Sequence, residues 1–136
     1  MNALIRSTLV AAVAVVAAAG CAKETSTAIP TGTDLKGTWA QNGFGYEMGK
    51  PVTWKDQTLV IEKAEGAGFA GFKEYNREGS GPQKEAINGV VGADGDIRIV
   101  DEDGFFEGRL VEGKIRGQYV EMGDDAAAIN VELTRK

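Results

Sequence analysis

From residue 35 onward, apolar and polar positions alternate with a period of two, as in Leu59-x-Ile61, Ile97-x-Ile99 and Ile129-x-Val131-x-Leu133. No stretch keeps a 3.6-residue apolar period over three turns, so the pattern predicts strands rather than helices. Breaks containing glycine divide it into eight segments, near 35–41, 57–63, 68–75, 84–91, 96–101, 104–111, 113–121 and 127–135. Strands of this number and length suit an all-β fold, an eight-stranded antiparallel up-and-down β-barrel, because closure removes the exposed edges of an open sheet. Two stacked sheets are the other arrangement the pattern permits.

A repeat favours closure: Phe69-x-Gly71, Ile87-x-Gly89-x-Val91, Phe106-x-Gly108-x-Leu110 and Ile115-x-Gly117-x-Tyr119. Glycine weakens a flat strand by removing a packing side chain, and its recurrence on the apolar face fits the crowded, bent inner wall of a small barrel. Glycine there also leaves room for a cavity. The second, fourth and sixth connections (64–67, 92–95 and 112–113) are tight, with the Asp-Gly and Glu-Gly signals of hairpins. The first (42–56), third (76–83) and seventh (122–126) are longer, and odd-numbered connections of an up-and-down barrel share one end. The long loops are therefore expected at one mouth.

The register places Leu35, Trp39, Leu59, Ile61, Ile97, Ile99, Ile129, Val131 and Leu133 inside, and Thr58, Glu62, Asn88, Arg98, Glu107, Arg109, Arg116, Gln118, Asn130, Glu132 and Thr134 outside. Continued toward the mouth, the inward face reaches Gln41, Lys73, Glu85, Asp101, Tyr119 and Glu121. Polar groups around an apolar cup are what a pocket uses to orient a ligand. The first connection adds Phe44, Tyr46, Met48 and Trp54 among glycines, as a lid over the mouth or as a plug in a barrel without a cavity. Eight strands leave an interior that side chains can just fill or that holds one small ligand. The candidate ligand-binding set is Gln41, Phe44, Tyr46, Trp54, Lys73, Glu85, Tyr119 and Glu121. Asp94-Gly95-Asp96 and Asp101-Glu102-Asp103-Gly104 lack the ligand spacing of a calcium loop and read as turns.

The N-terminus is of another kind. An apolar run of eleven residues, Leu9 to Ala19, follows Arg6 and precedes Gly20 and the only cysteine, Cys21. It is too short for the roughly 20 residues that cross a bilayer, and reads as a helical secretory signal over 1–20. Ala18-Ala19-Gly20-Cys21 resembles a bacterial lipobox, with alanine at 18 where leucine is usual. The resemblance implies lipid attachment at Cys21 after cleavage, and Ala22 in place of an aspartate implies sorting to the outer membrane. Several acyl chains on one residue make a stable anchor where one chain is marginal. Residues 21–34 then form the lipidated cysteine and a flexible tether, AKETSTAIPTGTD after Cys21, reaching about 20 Å as coil. Residues 35–136 form one barrel domain.

Removing Arg6 with the signal leaves 14 basic against 20 acidic residues, a charge of −6. This balance disfavours nucleic acid and anionic lipid as partners. There is no histidine, the cysteine is committed to lipid, and no serine lies beside a plausible base. No catalytic residue, cofactor or metal is therefore expected.

Gly37-Thr38-Trp39 on the first strand and Arg135 on the last, in Val131-Glu132-Leu133-Thr134-Arg135, resemble the marks of calycins, the superfamily of lipocalins, fatty-acid-binding proteins and avidins. The resemblance implies that Trp39 and Arg135 pack together at the closed end, where a guanidinium stacks well on indole. Thr58 to Ile61, Gly66 and Phe69 to Gly71 are most similar to avidin strands. Avidin's biotin contacts have no counterpart, since Lys73 stands for its third-strand tyrosine and Gln57 for its serine. The expected function is a lipid-anchored envelope lipoprotein whose barrel binds a small, partly apolar ligand. The alternative is a protein-binding module, a periplasmic inhibitor or envelope assembly partner, with a filled barrel. The first loop separates them: over a hollow interior for a ligand, presented outward above a filled core for a protein.

Overall fold

The computed structural model describes residues 28–77 and 79–136. The signal, Cys21 and the start of the tether lie outside these residues. A helical turn α1 (Gly32–Leu35) leads into eight strands: β1 (Gly37–Glu47), β2 (Lys50–Glu65), β3 (Gly68–Arg77), β4 (Gly81–Val91), β5 (Ile97–Val100), β6 (Gly104–Val111), β7 (Lys114–Glu121) and β8 (Ala127–Arg135). Each pairs antiparallel with the next, and β1 pairs with β8 from Trp39↔Arg135 to Glu47↔Ala127. The sheet is a closed up-and-down barrel.

Closure gives the inward residues one shared interior. Trp39, Leu59, Ile61, Phe69, Ile87, Ile97, Ile99, Phe106, Ile115, Tyr119, Ile129, Val131 and Leu133 are all buried, each full burial of a large apolar side chain being worth about 1.5–3 kcal/mol. The repeated glycines mark close approaches. A Cβ on Gly71 would collide with the Val60 carbonyl, and one on Gly117 with the Glu107 carbonyl. The room they leave inside is taken by aromatic rings, Phe69 over Gly89 and Phe106 over Gly108 and Gly117. Among the described residues the void inside the barrel beneath the mouth is only about 20 Å³, where inner glycines suggested a cavity.

Three parts of the sequence reading change. The first connection is no loop: β1 and β2 run on as a hairpin that turns at Met48 and Gly49, with Glu47 opposite Lys50 and the outer half of β1 also paired to β8. β3 and β4 likewise extend to Arg77 and Gly81. Leu35 does not begin the first strand. It ends α1, fully buried, and the last tether residues form a capping box in which the Asp34 N–H donates to Thr31 Oγ1 and the Thr31 N–H to Asp34 Oδ2. The Thr31 N–H and the Thr31 hydroxyl, both donating to Asp34 Oδ2, hold the Asp34 carboxyl below its usual range.

At the closed end, the Arg135 guanidinium lies 4.3 Å from the Trp39 ring centroid. It donates to the carbonyls of Lys36 (2.6 Å) and Asp34 (2.7 Å), while the Trp39 indole donates to the Leu35 carbonyl at 3.0 Å. One residue pair therefore joins β1, β8 and α1.

Candidate functional site

The mouth is where the inward register turns polar. β3 brings Lys73 inward, β4 Glu85, the end of β5 Asp101, and β7 Tyr119. Lys73 Nζ donates to Asp101 Oδ2 at 2.7 Å and lies 2.8 Å from Glu85 Oε2. The Asp101 side chain is 5% exposed and those of Lys73 and Glu85 12% and 13%. Tyr119 Oη donates to Asp101 Oδ1 at 3.1 Å, and Tyr75 Oη donates to Glu85 Oε1. The ammonium also sits 5.1 Å from the Tyr119 ring centroid and 5.3 Å from that of Tyr75. One buried cation is thus held by two carboxylates and two phenols.

The electrostatics follow from this layout. Burial opposes the Lys73 charge, but Asp101 and Glu85 outweigh it and its proton is held more tightly than usual. Burial and the neighbouring carboxylates push both the Tyr75 and Tyr119 phenols up. Burial, then Asp103 and Glu47, also raise the Glu121 carboxyl. At neutral pH the cluster therefore offers fixed charge and hydrogen bonds rather than a free amine or phenolate.

Above this seal, an open basin of about 910 Å³ lies between the splayed outer ends of β2 and β3, bordered by Glu47, Trp54, Lys73, Tyr75, Asp103, Tyr119 and Glu121 among others. Trp54 and Tyr119 pack in a tilted arrangement, with ring centroids 5.3 Å apart and ring planes at 59°. Of the candidates, Trp54, Lys73, Tyr119 and Glu121 converge here. Glu85 lies beneath, holding Lys73 and Tyr75. Gln41 is buried, donates to Gln57 Oε1 at 3.1 Å, and lines the small interior void.

Phe44 and Tyr46 are not part of the basin. The inward positions of outer β1 are Gly43 and Gly45, against β8. Phe44 and Tyr46 alternate with them and point outside, each 57% exposed. The lid is replaced by a paired hairpin with Phe44 and Tyr46 outward and Trp54 inward over the basin. Tyr75, absent from the candidate set, is two residues beyond Lys73. The same register carried one step further reaches it.

Asp94-Gly95-Asp96 and Asp101 to Gly104 are turns, with the Asp96 N–H donating to Asp94 Oδ1 and the Asp103 and Gly104 N–H groups to Asp101 Oδ1. Among the described residues no group of three or more acidic, cysteine or histidine side chains is placed to hold a metal ion.

No known family matches the chain, and no curated protein matches it. A solved structure, a structural-genomics protein of unknown function from Bacteroides ovatus, is similar with a TM-score of 0.55 at 11% identity, over 76% of this chain and 42% of that one. This chain spans less than half the length of that protein. At this identity the likeness is one of fold.

Proposed function

We propose that this chain is a non-catalytic, lipid-anchored module of the bacterial envelope, attached at the outer membrane through Cys21, that binds a protein partner. The observation that carries the reading is the filled interior. A void of about 20 Å³ is far below the roughly 300–1,000 Å³ of small-molecule sites. The first hairpin supports the same side of the choice, because it presents Phe44, Tyr46 and Met48 to solvent above a packed core.

A second reading rests on the basin. Its aromatic floor and charged wall suit a small, partly apolar ligand seated above the Lys73 seal rather than inside the barrel. Native mass spectrometry of the chain extracted from its own membranes in mild detergent separates the two. The expected result is a complex whose added mass is a protein. A retained small molecule, lost on Trp54→Ala, overturns the protein-binding reading.

A further inference from the structure

Strand register sets the outward residues in rows around the barrel, and the rows change character from one end to the other. Toward the closed end, Asn42, Glu132, Arg116 and Arg109 lie side by side, with Arg116 2.9 Å from Glu132 and Arg109 2.6 Å from Asp96. The next row runs from Phe44 through Asn130, Gln118 and Glu107 to Arg98, and Arg98 is 3.1 Å from Glu107. The row nearest the mouth differs in kind. Tyr46, Ala128, Val120, Phe105 and Val100 are consecutive partners across β1, β8, β7, β6 and β5, and every one is apolar or aromatic. Their chain neighbours Gly45, Ala127, Ile129, Tyr119, Phe106 and Ile99 face inward, so this row faces out. Tyr46 is 57% and Val100 48% exposed.

Isolated surface apolar residues need no explanation, whereas an unbroken row across five strands does. At the usual strand spacing it is about 20 Å long. Its two borders are unlike. On the mouth side Glu102, Asp103 and Asp124 stand at the rim, with Glu47 and Glu121 just inside it facing the basin, and none of the five forms an ion pair among the described residues. On the other side the arginines are already neutralised, and a shallow depression of about 860 Å³ exposes the amides of Asn130 and Gln118.

These features select the occupant. A second copy stacked rim to rim would set acidic rim against acidic rim, one turned end for end would leave the rim facing neutral amides with no countercharge, and a row that wraps five strands of a barrel curves away from a flat bilayer. We infer that the row docks a basic, amphipathic segment of a protein partner, its apolar side chains on Tyr46, Ala128, Val120, Phe105 and Val100 and its Lys or Arg side chains over the acidic rim. The inference rests on the protein-binding reading and gives it a place and a chemistry.

The test uses the full chain in the cells it comes from, with p-benzoylphenylalanine replacing Val120 on the row, Asn76 at the basin or Arg109 on the charged row. Irradiation at Val120 is expected to capture a protein through a segment of net positive charge. A synthetic copy of that segment should bind the purified chain, more weakly as salt rises and at least tenfold more weakly to Asp103→Lys/Asp124→Lys, two exposed loop changes whose fold is checked by near-ultraviolet circular dichroism. Capture only at Asn76 or Arg109 keeps the partner reading and overturns the row. Capture of lipid, of a second copy or of a segment without positive charge at Val120 overturns it too, as does binding indifferent to the charge reversal. No protein captured at any of the three positions overturns both readings.

Discussion

Gly71 sits where β3 passes so close to β2 that a methyl group would overlap the Val60 carbonyl. Backbone cannot yield as a flexible side chain does, so Gly71→Ala is expected to cost about 1–3 kcal/mol, read as a lower urea midpoint at unchanged slope. The spacing of such glycines was visible in the sequence and pointed correctly to a curved inner wall. What fills the vacated space was not visible, because it depends on which way the Phe69 and Phe106 rings lean along their strands. Glu121 offers a test of a different sort. Its folded carboxyl holds a proton more tightly than the unfolded one, so stability falls as pH rises from the ordinary value of 4.5 through the raised one. Glu121→Gln removes that loss. It is expected to stabilise the chain at neutral pH and to give no advantage below 4.5, measured by urea unfolding at the two conditions.

Among the elements, the β1–β2 hairpin departs furthest from the sequence reading. Gly43, Gly45, Gly49 and Pro51 look like loop residues, and only Gly49, with φ +74°, serves a turn. Gly43 and Gly45 are strand residues on the inner face, placed where β1 crosses closely over β8. Gly-Phe-Gly-Tyr thus obeys the same period of two as the recognised repeats, with glycine inward and aromatic outward. Reading it that way needs the distance between β1 and β8, which no local pattern carries. Lys73, Glu85, Tyr119 and Glu121 were legible for the converse reason, since each continues an alternation already set by its strand, whereas Trp54, read as a loop aromatic, reaches the basin through a register shift between β1 and β2. Phe44→Ser and Tyr46→Ser are expected to change stability by no more than about 0.5 kcal/mol, as exposed substitutions do. Trp54→Ala, which strips a half-buried ring from Tyr119, should cost about 2 kcal/mol, less than the ~3–5 of a fully buried aromatic. Thermal unfolding of the three variants checks the contrast.

For the molecule as a whole, the ring depends on a seam between its first and last strands. Arg135 reaches back over 99 residues to the Lys36 carbonyl and over 101 to that of Asp34, and the pairing of Trp39 with Arg135 spans nearly the whole domain. Deleting Arg135 and Lys136 is expected to lower stability by about 1–3 kcal/mol through the two lost carbonyl bonds and to slow refolding in stopped-flow measurements. Refolding at the intact rate would place seam formation after the rate-limiting step. Contacts this distant along the chain make folding slow, because the loop must close before it is rewarded. Synthesis from the N-terminus therefore exposes a ribbon with bare edges at both sides until Arg135 is free. Any factor that handles the chain before that point meets the ribbon and not the finished cylinder.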